Sequence, residues 1–268
     1  MTELTPQTAC PVIGDHHGKP MMSLPVEYLQ YIHTQPWLPW RYPEVVQYID
    51  THIRKLDTEF LDEIQENIIK LFFWKFITYP TTSQLIESLI RSSRAKNVLE
   101  SGMFSGFTTL HMVRAVYPHG LCTSMDLQDR RKGEREGECK TDIFYKLEKL
   151  GHFRFLKGSC YSCKDPNVPN IRVLTKQLKQ RAPYDFVFID SSHIVEQTLE
   201  EIKALWKLTE PGAMFVFHDC QDGCPMNLFV MSLVKDGYFT GTVLPTCHRM
   251  DTWNPCNLGT FIRTDKQF

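Results

Sequence analysis

Apolar residues recur at helical spacing from Pro43 to Ile77: Val45, Val46, Ile49, Ile53 and Leu56, then Phe60, Leu61, Ile64, Ile68 and Leu71. Intervals of three and four place such residues on one helical face, so two helices are expected here. A third is expected through Arg91, capped by Thr81 or Thr82, with Leu85, Ile86, Leu89 and Ile90 as its apolar face. Beyond residue 96 the period changes. Short apolar runs at 97–100, 121–126, 153–156, 185–190 and 213–217 alternate with helical stretches near 107–116, 141–150, 171–181, 195–208 and 225–236. Runs this short, bounded by Gly, Pro and Asp and separated by helices, predict buried parallel strands in a doubly wound α/β sheet. Two last runs, Gly241–Leu244 and Gly259–Ile262, face each other across a polar loop and read as a terminal antiparallel hairpin on the sheet edge. The fold class is therefore α/β, a mostly parallel seven-stranded sheet with an N-terminal helical extension. Residues 1–40, rich in Pro, His, Gly and Thr, read as an irregular arm whose Trp37 and Trp40 dock on the domain or wall a pocket. Residues 41–80 form a helical cap and 81–268 the α/β domain.

Composition narrows the function classes. The 268 residues are 42% hydrophobic and 23% charged, with 30 basic and 31 acidic side chains and a net charge of −1. That balance lacks the electrostatic footprint of a nucleic-acid binder. No apolar run approaches the ~18 residues of a membrane span, and no secretory signal is visible at the N-terminus. Nine cysteines, an odd number, are expected as reduced thiols in a cytoplasmic protein. Cys160-x-x-Cys163, Cys220-x-x-x-Cys224 and Cys247 with Cys256 are spaced too loosely for a zinc ribbon. The mixed-charge stretch Asp129–Glu138 reads as a solvated loop or a lid.

Candidate chemistry gathers at strand ends. In such sheets ligands bind beyond the carboxyl ends of the strands, where the strand order reverses. The first strand runs into Glu100-Ser101-Gly102-Met103-Phe104-Ser105-Gly106-Phe107-Thr108-Thr109, in which Gly102 and Gly106 permit a sharp turn. The free N–H groups of the next helix would face an anion there. Two glycines alone suit an ordinary tight turn equally well, and G-x-G-x-x-G is absent. The second strand ends at Asp126, about 25 residues on, where a carboxylate can accept bonds from ribose hydroxyls. Gly158-Ser159-Cys160 follows the third strand and suits an adenine face. Asp190-Ser191-Ser192-His193 and His218-Asp219-Cys220 end the fourth and fifth. Each Asp by itself reads as a helix cap; together, two carboxylates and two imidazoles at neighbouring strand ends read as a site.

Residues 78–110, from Thr78-Tyr79-Pro80 through the Glu100–Thr109 turn, resemble the opening of class I S-adenosylmethionine-dependent O-methyltransferases of the catechol and caffeoyl-coenzyme A kind. The stretch Tyr184–Cys220 is similar to the same group and to bacterial enzymes acting on antibiotic and sugar hydroxyls. The resemblance covers about residues 78–220 and implies a Rossmann-like methyltransferase domain binding S-adenosylmethionine. It implies that Glu100, Gly102, Phe104 and Gly106 line the methionine end, with Ser105 and Thr108 near its carboxylate. Asp126 would hold the ribose, Leu127, Ser159 and Cys160 would border the adenine, and Asp190 would close the cofactor site. Metal-dependent members bind Mg²⁺ through an Asp after strand four and an acidic or Asp-Asn pair after strand five. Here those positions carry Asp190 and His218-Asp219, or Asp219-Cys220 in the plant-type register. Imidazole and thiol suit a hard cation poorly, so a divalent ion (Mg²⁺ or Mn²⁺) and a metal-free site both stay open. Asp190, His193 and His218 are the catalytic candidates, either imidazole serving as general base.

The expected acceptor is a small hydroxylated molecule, with Trp37, Trp40 and Tyr79 as apolar walls. A homodimer through the N-terminal helices is compatible with the sequence. The alternatives are a cofactor-binding relative without catalysis and a nucleotide-binding oxidoreductase. Trp253-Asn254-Pro255 falls in the hairpin loop rather than after strand four, which disfavours methylation of amide or base nitrogen.

Overall fold

A computed structural model describes residues 45, 60–71, 80–131, 142–162, 168–169, 171–246 and 257–268. Trp37, Trp40, residues 72–74, Tyr79, most of the mixed-charge loop, Cys163, Cys247, Trp253-Asn254-Pro255 and Cys256 lie outside them. The chain divides into two compact units, Met1–Glu63 and Ile64–Phe268. In the first, Val45 and residues 60–63 are helical. In the second, helical residues 64–71 bury Ile64, Ile68 and Leu71, the face that their spacing predicts.

The rest of the second unit alternates helix and strand: α1 (Pro80–Ser93), β1 (Asn97–Ser101), α2 (Phe107–Val116), β2 (Leu121–Asp126), α3 (Ile143–Lys149), β3 (Phe153–Lys157) and α4 (Ile171–Lys179), then β4 (Tyr184–Ile189), α5 (Val195–Trp206), β5 (Thr209–Phe217), α6 (Pro225–Lys235), β6 (Phe239–Pro245) and β7 (Asn257–Arg263). Helix α1 begins at Pro80 and takes in Thr81 and Thr82, the residues expected to cap it. Proline's fixed φ and missing N–H suit the first helical turn, whose N–H groups have no intrahelical acceptor. Strand β5 starts at Thr209, four residues before the apolar run, and a register shift against β4 between Tyr184 and Phe186 accommodates Pro211-Gly212.

The strands form one sheet in the order β3-β2-β1-β4-β5-β7-β6. The first five are mutually parallel, while β7 runs antiparallel to both β5 and β6. The hairpin is thus present, but its second strand inserts beside β5 and leaves β6 at the edge. Burial explains the choice: Leu258 and Phe261 of β7 are fully buried, whereas Thr240-Gly241-Thr242 of β6 are exposed. An edge tolerates glycine, proline and polar side chains. Trp206 of α5 packs edge-on to Phe239 at 5.2 Å and tilted to Phe215 at 5.8 Å, joining the helix layer to the hairpin side. No helix among the described residues is long and apolar enough to cross a membrane.

Helices α1 and α2 are joined through the largely buried Glu87. It accepts from Arg91 Nη2 at 3.0 Å and Arg114 Nε at 3.0 Å, and lies 2.9 Å from His111 Nδ1. Burial acts to raise its pKa, but the bonds from His111 and Arg114 and the Arg114 charge outweigh it, bringing the carboxyl down from 4.5 to about 2. Removing one partner from such a cluster leaves buried charge uncompensated, so Glu87→Ala is expected to cost about 3 kcal/mol in urea unfolding at pH 7. The folded-state pKa lies below the unfolded one, so this stabilisation is complete above the unfolded value and is lost as pH falls from 4.5 toward about 2. The variant should show a flatter acid limb than the parent; identical limbs would refute the assignment.

Candidate active site

The sheet's hydrogen-bond ladder runs on into the loops beyond the strands. Gly102 N–H donates to Met125 O at 2.9 Å, Gly158 N–H to Asp126 O at 2.8 Å, Asp190 N–H to Ser101 O at 2.8 Å and His218 N–H to Ile189 O at 3.1 Å. These bonds hold the loops after β1 to β5 side by side. Strand β1 lies between β2 and β4, so the reversal of strand order falls at β1/β4.

An open cleft of about 170 Å³ lies there. Its β1/β4 side is formed by Ser101, Gly102, Asp190 and Ser191, and its β2/β3 side by Asp126, Leu127, Gly158, Ser159 and Tyr161, with Phe104 and Met125 completing it. Gly102 has φ +99°, and a Cβ on it would lie 2.2 Å from the Asp190 carbonyl oxygen. Only glycine permits this approach. Gly106, with φ +84°, is the N-cap of α2. Between them Phe104 adopts φ +47°, and its N–H donates to Asp126 Oδ2 at 2.8 Å. The other oxygen of Asp126 accepts from Gln128 N–H at 3.1 Å. This carboxylate therefore ties the first turn to the second.

Two glutamates lie beneath the cleft. Burial pushes the fully buried Glu100 up to about 8, against the hydrogen bonds that Ser124 (2.6 Å) and Thr109 (2.5 Å) donate to it. Burial likewise raises Glu201 to about 7, opposed by hydrogen bonds from Ser101 and Ser191. Its Oε1 accepts from Ser101 Oγ, and its Oε2 from Ser191 Oγ at 2.6 Å.

The ends of β4 and β5 bring the acid and imidazole groups together. Ligand atoms of Asp190, His193 and Asp219 all lie within 4.8 Å of one another, the arrangement of a candidate cation site. His193 Nε2 is 3.5 Å from Asp219 Oδ2, and its side chain is 56% exposed. His218 is 11% exposed; its Nδ1 lies 3.1 Å from Asp190 Oδ1 and 3.3 Å from Asp219 Oδ1. These are ion-pair distances without hydrogen-bond alignment. Burial pushes the His218 imidazole down, but the two carboxylates outweigh it and raise its pKa well above the ordinary value. Burial raises Asp219 in turn, and His218 and His193 bring it down to about 2. Asp219 also sits at φ +53°, in the left-handed region that a non-glycine residue seldom adopts.

A methyltransferase-domain family model matches residues 99–220, and an O-methyltransferase model matches residues 51–137. The chain is 25% identical over 174 residues to caffeoyl-CoA O-methyltransferase 2 of Zea mays, covering 64% of this chain and 60% of that one. It is 26% identical over 170 residues to the Petunia hybrida enzyme of the same name, covering 63% and 64%. The chain thus spans less than two thirds of these relatives. Residues 51–220 are similar to methyltransferase and O-methyltransferase domains. The fold is similar to two solved structures: a Bacillus cereus O-methyltransferase in complex with SAH (TM-score 0.53, 13% identity, 76% of this chain and 91% of that one) and the O-methyltransferase TomG of Streptomyces achromogenes with SAM (TM-score 0.53, 19% identity, 77% and 90%).

Within this α/β domain the residues singled out from sequence separate into three groups. Gly102, Phe104, Asp126, Leu127, Ser159 and Asp190 line the cleft. Glu100, Gly106, Thr108 and Cys160 are buried outside its lining, Thr108 within 3.0 Å of Ser83 Oγ, while Ser105 is half-buried at the turn. His193, His218 and Asp219 join Asp190 at the β4/β5 side. The converging donor set contains His193, whereas His218 backs the two carboxylates. Cys122, Cys160, Cys220 and Cys224 are free thiols. Sequence reasoning missed Ser101, Ser191, Tyr161 and Glu201. The helical period of α5 held a signal for the last, since its buried face is Thr198, Glu201, Ile202 and Leu205.

Proposed function

We propose that the chain binds S-adenosylmethionine in the β1/β4 cleft and transfers its methyl group to a hydroxyl oxygen of a small-molecule acceptor. The observation that carries this reading is the double membership of Asp190, which belongs both to the cleft and to the carboxylate–imidazole cluster. A ligand held in the cleft therefore ends beside groups able to handle a hydroxyl proton. In this reading Asp126 receives the ribose hydroxyls, since a carboxylate offers about four lone-pair sites and two are engaged. Leu127 and Ser159 border the adenine, and Gly102, Phe104 and Ser105 face the methionine end. The buried Glu100, Gly106, Thr108 and Cys160 support those walls from behind.

The acceptor hydroxyl approaches the sulfonium methyl in line; its O–CH₃ bond forms as the S–CH₃ bond breaks, leaving the demethylated cofactor. The protein aligns the two partners and takes up the hydroxyl proton. His193, the more exposed imidazole, is oriented by Asp219 and is the general base. His218 is enclosed by both carboxylates and acts as their buried counter-charge. Two carboxylates and an imidazole also fit a divalent ion of borderline character such as Mn²⁺ better than Mg²⁺. With such an ion bound, Asp190, His193 and Asp219 would hold it, His193 would be a ligand instead of the base, and the ion's chemistry would be to lower the hydroxyl's pKa.

Calorimetry with S-adenosylmethionine and with NAD tests the cofactor; we expect micromolar binding of the first alone. Methyl transfer to a panel of catechols and hydroxylated metabolites, with and without Mg²⁺ or Mn²⁺, tests the reaction. No measurable binding of S-adenosylmethionine would overturn the reading.

A further inference from the structure

Ser101 and Ser191 come from different strand ends, β1 and β4, yet both line the cleft and both donate their hydroxyl hydrogens to one carboxylate behind it, that of Glu201. Glu201 is completely buried. A hydroxyl has a single hydrogen and two lone pairs. Once its hydrogen points away from the cleft, it can serve a ligand only as an acceptor. Above its pKa of about 7 Glu201 is ionised and takes both hydrogens, and the β1/β4 side of the cleft is then polarised for hydrogen-bond donors and positive charge.

We propose that Glu201 is a positioning residue that orients Ser101 and Ser191 as paired acceptors for the ammonium group at the amino-acid end of S-adenosylmethionine. This rests on the cofactor reading above and deepens it. With Asp126 and Ser159 on the β2/β3 side taking the nucleoside, the β1/β4 side is left for the amino-acid end. An ammonium carries three donors and no acceptor, which matches two hydroxyls stripped of donor capacity. The low dielectric around a buried carboxylate strengthens its pull on a cation held above the serines.

Glu201→Gln tests this with almost no change in volume. An amide accepts from one serine but donates to the other, whose hydrogen must then turn into the cleft, toward the ammonium. The probes are S-adenosylmethionine and 5′-methylthioadenosine, which keeps the nucleoside and lacks the amino-acid end. Calorimetry above the Glu201 pKa of about 7, where the parent carboxyl is ionised, should give about a 10-fold loss of affinity for S-adenosylmethionine, the ~1.4 kcal/mol of one charged hydrogen bond. Affinity for methylthioadenosine should stay within about 2-fold. Ser191→Ala, at a half-buried position, should show the same selective loss, and the double variant should lose less than the product of the two. Equal losses for both probes in both variants, or none, would overturn the proposal. If the parent protein binds neither probe, the cofactor reading itself fails. If it binds both and the variants do not discriminate, only the role of Glu201 fails.

Discussion

Asp190→Ala is expected to reduce methyl transfer by roughly 100- to 1,000-fold, the usual size of losing one charged group aimed at the reacting centre. Asp190 is the one member of the β4/β5 cluster that also lines the cleft, so its loss strikes cofactor and acceptor sides together. It also removes one of the two carboxylates that neutralise His218, leaving that buried ring 3.3 Å from Asp219 Oδ1 alone. Asp219→Ala should give a loss of similar order, because it releases His193 and leaves His218 with Asp190 alone. Initial-rate assays on the best acceptor, paired with thermal unfolding, separate lost chemistry from lost fold. If both variants turn over at the parental rate, the cluster is not the reacting centre.

Gly102→Ala should damage the protein more broadly. The added Cβ would lie 2.2 Å from the Asp190 carbonyl oxygen and 2.9 Å from the Ser191 backbone nitrogen, atoms that no rotamer change can move aside. Holding a non-glycine residue at φ +99° adds strain of about 1–3 kcal/mol. We expect a total stability loss of roughly 3 kcal/mol and a loss of S-adenosylmethionine affinity above about 100-fold, since the backbone that must shift is the cleft wall. Gly151→Ala is the internal control. That residue has φ +81° and nothing within 4 Å of its missing Cβ, so only the conformational cost, about 1 kcal/mol, is expected. Equal effects of the two substitutions on unfolding and on binding would refute the close-approach argument.

These variants also mark how far local sequence could be read. The alternation of apolar runs and helical stretches from Asn97 to Lys235 anticipates each strand and helix to within a few residues, because side-chain period is a local property. Gly102, Asp126 and Asp190 were visible because each stands at a strand end, where the chain must turn and where ligands of such sheets bind. The difference between His193 and His218 was not. Each follows a strand within a few residues, and only the packing of β4 against β5 buries one between two carboxylates while the other stays more than half exposed. The placement of β7 was hidden for the same reason: two similar runs form a hairpin, and the choice of which one pairs with β5 depends on the sheet already built.

Glu200 and Glu201 draw the distinction most finely. They are neighbours in one helix with the same side chain, yet Glu200 is exposed and accepts the Ser162 N–H at 2.8 Å, while Glu201 is fully buried beneath the cleft and holds two serine hydroxyls. By itself the sequence determined the elements, their order and the strand ends where chemistry collects, since hydrophobic period and turn residues act over a few positions. The tertiary structure alone decided which charged groups are desolvated and which partners they meet, because burial and Coulomb interaction depend on distance in space between residues up to a hundred positions apart.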